Sequence, residues 1–156
     1  MPLDVVDAAT RSRMMASIKG RDTKPEMIVR CGLHRRGFRF RLHDRKLAGR
    51  PDLVLSRYRA AIFVHGCFWH GHDCHFFRWP KSRPEFWRAK ISGNIARDRR
   101  AVEALKDASW RVLTIWECAF RGQTPHEREA ALDDAATWIS HGARVAEIRG
   151  DANGAG

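Results

Sequence analysis

Three features of the sequence predict an α/β fold with a central mixed sheet flanked by helices. Short β-branched and aromatic runs (DLVL, AAIFVHG, WRVLTIWEC) have the length of buried strands. Longer stretches carry apolar residues near helical spacing, and the two kinds of segment alternate along the chain. At 156 residues the chain is long enough to bury one real core and too short for two, so one domain and one cluster of sites are expected.

Taken in order, residues 1–21 form a basic arm in which Met14 and Met15 stand among Arg11, Arg13 and Lys19. The stretch RDTKPEMIVRCGLHRRG is a helix, with Asp22 or Thr23 as N-cap, Pro25 in its first turn and Gly37 as its stop. Met27, Ile28 and Cys31 share one side of it, which makes Cys31 a small buried hydrophobe. In FRFRLHD, Phe38, Phe40 and Leu42 alternate with arginines, the pattern of a half-buried strand. DLVL and AAIFVHG are joined by the polar SRYR and predict a central hairpin.

Pro84 to Asp107 is the longest helical pattern, with Phe86, Trp87, Ile91, Ile95, Val102 and Leu105 near helical spacing, a solvated RDRR patch, and Gly93-Asn94 as a weak point. WRVLTIWEC is a third buried strand, with Trp110 and Trp116 assigned to the core. A last helix spans about Pro125 to Ser140, closing a domain at residues 1–141. From Gly142 onward the apolar content is too low to pack, so residues 142–156 are expected to be a flexible tail.

Charge narrows the function. Lys and Arg number 29 against 18 Asp and Glu, giving +11 and a pI of about 10.5, which favours a polyanionic partner, above all nucleic acid. No apolar run approaches the roughly 20 residues that span a bilayer, and the positive charge is not gathered on one lipid-seeking helix, so a membrane partner is disfavoured. With no leader at the start, the chain is expected in the cytoplasm, where Cys31, Cys67, Cys74 and Cys118 stay reduced.

Four histidines, two cysteines and five large aromatics crowd into FVHGCFWHGHDCHFF. Cys67, His72 and Cys74 lie within eight residues, and thiolate with imidazole suits tetrahedral zinc better than magnesium or calcium. Cys118, at the end of a strand that can return beside the loop, is the natural fourth ligand, with Asp73 and His75 as rivals within the loop. Four protein ligands leave no open position, so such a zinc would hold the loop and do no chemistry.

GRPDLVL places one carboxylate, Asp52, at the entrance to a buried strand, as a large nuclease class does to bind a metal. That class usually ends the next strand in acid-x-lysine, whereas this one offers Val64 and His65. A workable replacement set exists: Asp52 to hold Mg2+, a backbone carbonyl near Val64 as a second oxygen ligand, and His65 and His70 titrating near neutrality.

Together GRPD, FVHGCFWHGHDC, EFWRAKI, NIARDRR and SWRVLTIWEC resemble, in order, the very short patch repair endonucleases, over about Asp4 to Arg121. The resemblance implies a restriction-endonuclease-like core, a variant of the PD-(D/E)xK type, with a structural zinc. It implies an enzyme that nicks double-stranded DNA on the 5′ side of the thymine in a T:G mismatch left by 5-methylcytosine deamination. Carried across, it makes Asp52 the Mg2+ ligand with the Val64 main chain, His70 the base that activates water, His65 a partner at the phosphate and Glu26 an acidic support.

The same resemblance assigns zinc to Cys67, His72, Cys74 and Cys118. Phe68, Trp69 and Trp87 become a wedge inserted beside the mismatch, with Met14 or Met15 approaching from the other groove. A mismatched step costs less to unstack, so a wedge favours damaged over intact DNA. Two departures stand out: valine replaces the family's usual threonine at position 64, and Gly71 and Asp73 interrupt its histidine run. A monomer associated with the nucleoid is expected, with mismatch-repair proteins as candidate partners. The rival readings are a nuclease of relaxed specificity and an inert zinc-stabilised DNA-binding module, the latter leaving Asp52, His65 and His70 without a role.

Overall fold

The computed structural model describes residues 23–150. The basic arm with Met14 and Met15, and residues 151–156, lie outside that range. Helix α1 (Lys24–Arg35) starts as its sequence requires: the Thr23 side chain accepts the Glu26 N–H and Pro25 occupies the first turn. Its inner face differs from the expected one. Val29, Gly32 and Leu33 are buried together with Glu26, while Met27 is 40% exposed and Cys31 is exposed. The helix is turned so that Glu26 reaches inward, and Gly32 lets Leu132 approach where a Cβ would clash at 2.5 Å.

The predicted FRFRLHD strand shrinks to β1 (Arg41–Leu42), both residues exposed at the sheet edge. The hairpin forms as expected from β2 (Leu53–Leu55) and β3 (Ala60–His65), paired antiparallel in the register Leu53↔Ile62. Helix α2 (Pro84–Asp107) runs unbroken through Gly93-Asn94 and crosses over to β4 (Arg111–Trp116), parallel to β3. Helix α3 (Pro125–His141) opens with a full capping box between Thr124 and Glu127.

The expected flexible tail is corrected in part, because Val145–Ile148 forms β5, parallel to β4 at the sheet edge. Ala146 and Ile148 pack against the core while the main chain pairs with β4, and the two together bring this short segment into the sheet. The strand order is β1-β2-β3-β4-β5; the sheet is mixed, as the sequence predicts, with β5 as an unpredicted fifth strand.

Alternation divides the core into two layers. Leu53, Leu55, Ala60, Ile62, Leu113 and Ile115 point to the side where α1 and α3 pack, through Val29, Leu33, Leu132 and Ile139. Val54, Ala61, Phe63 and Val112 point to the other, against Ala101 and Leu105 of α2. Strands with both faces covered in this way bring their carboxyl ends, His65 and Trp116, out side by side at one rim of the sheet.

Candidate active site and metal centre

The parallel register His65↔Trp116 sets the exits of β3 and β4 in step. Two residues further along, Cys67 and Cys118 fall beside one another, the second on a short 3-10 turn over Glu117–Ala119. Glu117 ties the two strand exits together by accepting the Cys67 N–H at 3.0 Å. The loop then folds back, with the His72 N–H on the Cys67 carbonyl at 2.9 Å and Gly71 in the left-handed region at φ 61°. A side chain at Gly71 would collide with Ile91 and Ile95 at 2.8 Å, so glycine lets the loop lie against α2.

Four ligand atoms meet here: those of Cys67, His72, Cys74 and Cys118 all lie within 4.8 Å of one another. Asp73 and His75, the rival ligands, stay outside the cluster and are exposed. His72 turns Nδ1 toward the sulfurs, 3.5 Å from Cys67 Sγ and 3.6 Å from Cys118 Sγ. Its ring lies flat on Trp116, with centroids 3.9 Å apart and planes 8° from parallel. Trp116, assigned to the core from sequence, is half-buried and covers the cluster. The hydrogen bond from Cys67, helped by the Gly150 N–H, pulls the Cys118 thiol down toward thiolate, and burial lowers His72 toward the neutral, ligating form.

Beside this cluster opens a cleft of about 930 Å3. Asp52 enters it from the start of β2 and Val64 from β3, where the Val64 N–H donates to Asp52 Oδ2 at 2.7 Å. The N–H and carbonyl of an extended residue point to the same strand edge, so the Val64 carbonyl is directed to the Asp52 side. Behind Asp52, Glu26 is 2% exposed and meets His43 Nε2 at 2.6 Å, while that nitrogen is 4.0 Å from Asp52 Oδ1. Burial pushes the Asp52 carboxyl up to about 7; the Val64 hydrogen bond opposes this and the charge of Glu26 adds to it.

On the cleft's other wall His65 and His70 stack with centroids 3.7 Å apart and planes 2° from parallel. Asp98, from α2, accepts from His70 Nδ1 at 2.6 Å and stands 4.0 Å from His65 Nε2. Burial holds His65 well below the usual histidine range, and the nearby His70 and His72 lower it further. His65 is thus neutral at neutral pH, while Asp98 fixes the orientation of the His70 ring through Nδ1. Thus the structure brings Asp52, Val64, His65, His70 and Glu26 to the lining of one cleft.

His43 and Asp98 were missed. The first belongs to an arginine-rich strand pattern and the second to a charged helical patch, and only tertiary contacts bring them inward.

Phe68, Trp69 and Trp87 form one half-buried cluster with centroids 5.2 to 5.8 Å apart. It extends to two more rings: Phe77 packs on Phe68, and Phe86, counted from sequence in the apolar pattern of the helix, touches Trp87 but is 44% exposed. Trp79 is 45% exposed, and Arg88 and Arg83 lie over Trp79 and Phe86.

The family described as DNA mismatch endonuclease Vsr matches residues 3–76. The chain is 46% identical over 145 residues, 93% of either chain, to the DNA mismatch endonuclease Vsr of Escherichia coli (strain K12). It belongs to the Vsr family of DNA mismatch endonucleases. The chain is also similar to the type II nicking enzyme V.XorIIP of Xanthomonas oryzae pv. oryzae, 45% identical over 74% of this chain and 85% of its own. V.NaeI of Lentzea aerocolonigenes, another type II nicking enzyme, is 34% identical over 86% of this chain and 81% of its own. Vsr membership makes the chain an endonuclease, and hence a hydrolase.

Proposed function

We propose that this enzyme uses Mg2+ to nick one strand of duplex DNA on the 5′ side of the thymine in a T:G mismatch, opening very short patch repair at sites of 5-methylcytosine deamination. The observation that supports the reading is the meeting, in one cleft, of the Asp52 carboxylate and the stacked His65/His70 pair with Asp98, on a loop that also carries an aromatic cluster. An inert DNA-binding module would have no need of the first two. Asp52 and the Val64 carbonyl would hold Mg2+, which supplies charge neutralisation at the phosphate and a more acidic water. His70, with Asp98 fixing its tautomer, takes the proton of the attacking water at Nε2, and neutral His65 donates to a phosphate oxygen. Glu26 and His43 orient Asp52 from behind. Because the Val64 contribution comes from its main chain, valine serves where the family has threonine.

Zinc fits the four-residue cluster by chemistry and by dimension. Tetrahedral bonds of about 2.3 Å to sulfur and 2.0–2.1 Å to nitrogen set the sulfur and nitrogen roughly 3.6 Å apart. The observed separations are 3.5 and 3.6 Å. Its place at the shared rim makes it a spacer between the catalytic and wedging residues. Phe68, Trp69 and Trp87 open the mismatched step, with Met14 or Met15 from the arm on the opposite groove. The restriction-endonuclease-like core, a monomeric state, cytoplasmic work on the nucleoid and contact with mismatch-repair proteins complete the reading. Among the described residues no helix is long and apolar enough to cross a membrane.

The test is incubation with Mg2+ and duplexes labelled on either strand, carrying T:G or the matched T:A pair. Nicking of the thymine strand of T:G alone is expected. Equal cleavage of T:A supports a relaxed nuclease instead, and binding without nicking supports the inert module.

A further inference from the structure

The metal cluster is backed on three sides by the last described residues of the chain, a segment that belongs to none of the sequence motifs. Glu147 in β5 accepts the Trp116 indole N–H at 3.2 Å, fixing the ring that lies on His72. Arg149 donates to Asp73 Oδ1 at 2.7 Å and to the Asp73 carbonyl at 3.2 Å, closing on the loop between His72 and Cys74. Asp73 Oδ1 stands 3.6 Å from His72 Nε2, the ring nitrogen opposite the one that faces the sulfurs. Gly150 donates its N–H to Cys118 Sγ at 3.3 Å. A Cβ at Gly150 would lie 2.4 Å from the Cys118 carbonyl oxygen, so only glycine brings that N–H so close.

Resting on the reading of the four-residue cluster as a zinc site, we propose that Arg149 and Gly150 are positioning residues for the metal centre: the end of β5 is a latch that slows zinc loss and tunes the Cys118 thiolate. Partners that orient ligands in this way typically change metal affinity by 10- to 100-fold when removed. An N–H aimed at a thiolate withdraws charge from the sulfur, and a carboxylate beside the distal imidazole nitrogen fixes the ring. The Arg149–Asp73 pair is itself solvent-exposed, and such a pair contributes little alone. Its effect comes from holding the main chain of the loop, since one of its two bonds goes to the Asp73 carbonyl. Both residues lie at the end of an edge strand, outside the two core clusters, so replacing them leaves the fold in place.

The experiment compares full-length wild type with Arg149→Ala, Arg149→Lys and Gly150→Ala. Zinc content is measured on purification, zinc release is followed with a colorimetric chelator, and the thiolate-to-metal charge-transfer band is recorded after cobalt substitution. Release about 10-fold faster is expected for Arg149→Ala and Gly150→Ala, with unchanged circular dichroism and partial recovery in Arg149→Lys. A shifted cobalt band is expected in Gly150→Ala, where the N–H to Cys118 is displaced. Release at the wild-type rate with an unshifted band, in chains that hold zinc, overturns the latch while leaving the zinc reading intact. Wild-type enzyme that purifies without tightly held zinc overturns that reading, and the latch with it.

Discussion

The two clusters at the rim of the sheet share one loop yet are built on opposite lines. Around Cys118 every donor turns inward, three ligands are buried or nearly so, and an aromatic ring closes the top. Around Asp52 the groups are mostly buried yet open on one side, held at their backs by Glu26, His43 and Asp98, with Asp52, His65 and His70 lining a cleft. A site satisfied by its own residues stabilises; a site whose residues still need a cation and a substrate is ready for chemistry.

That contrast is broken or sharpened by substitution on each side. Asp52→Ala is expected to lower nicking about a thousandfold or more while zinc content and fold persist, because several kcal/mol of metal assistance disappear. An intact rate would remove Asp52 from the mechanism. Asp98→Asn leaves His70 stacked on His65 but weakens control of its tautomer. A loss of about a hundredfold in kcat with little change in KM is expected from single-turnover kinetics, and an equal rise in KM would assign Asp98 to binding.

Cys118→Ser should act on the other side, lowering zinc content and thermal stability together with a fall in nicking that follows the metal lost. Full occupancy in that variant would mean the fourth ligand lies elsewhere. The smallest effect is on pH. Asp52 is raised to about 7 from an ordinary carboxylate value near 3.8, so the metal-free folded state binds the extra proton. Its contribution to stability is complete below the unfolded pKa and is lost as pH rises through about 7. Asp52→Asn should therefore stabilise the Mg2+-free enzyme by up to about 4 kcal/mol at pH 8 and hardly at all at pH 4, as read by denaturant titration. By the same linkage, wild-type Mg2+ affinity should rise with pH up to about 7 and then level off.

Local pattern made much of this legible. Buried strands, a capped helix and ligand-forming side chains within one loop all act through near neighbours in sequence, which is why β2, β3, β4, the long helix and Cys67, His72 and Cys74 could be read directly. Cys118 was also legible, because a strand returning in parallel delivers its end to the same rim. What escaped depends on side chains working against their type. Glu26 takes an interior place that Met27 and Cys31 were expected to fill, since its carboxylate has His43 to meet. Asp98 sits in a patch that reads as solvated until α2 is laid on the loop. β5 is only four residues long between polar neighbours and so gave little local signal; Ala146 and Ile148 against the core, main-chain pairing, and Arg149 and Glu147 hold it.

On the proposed reading, the run from His65 to Cys74 assigns successive positions to phosphate contact, metal, wedge, proton transfer and metal, starting from a strand end fixed in the sheet. Its length is therefore less negotiable than its composition. One residue added or removed anywhere in this run would put every later side chain out of phase with its partners, whereas single replacements disturb only their own contacts.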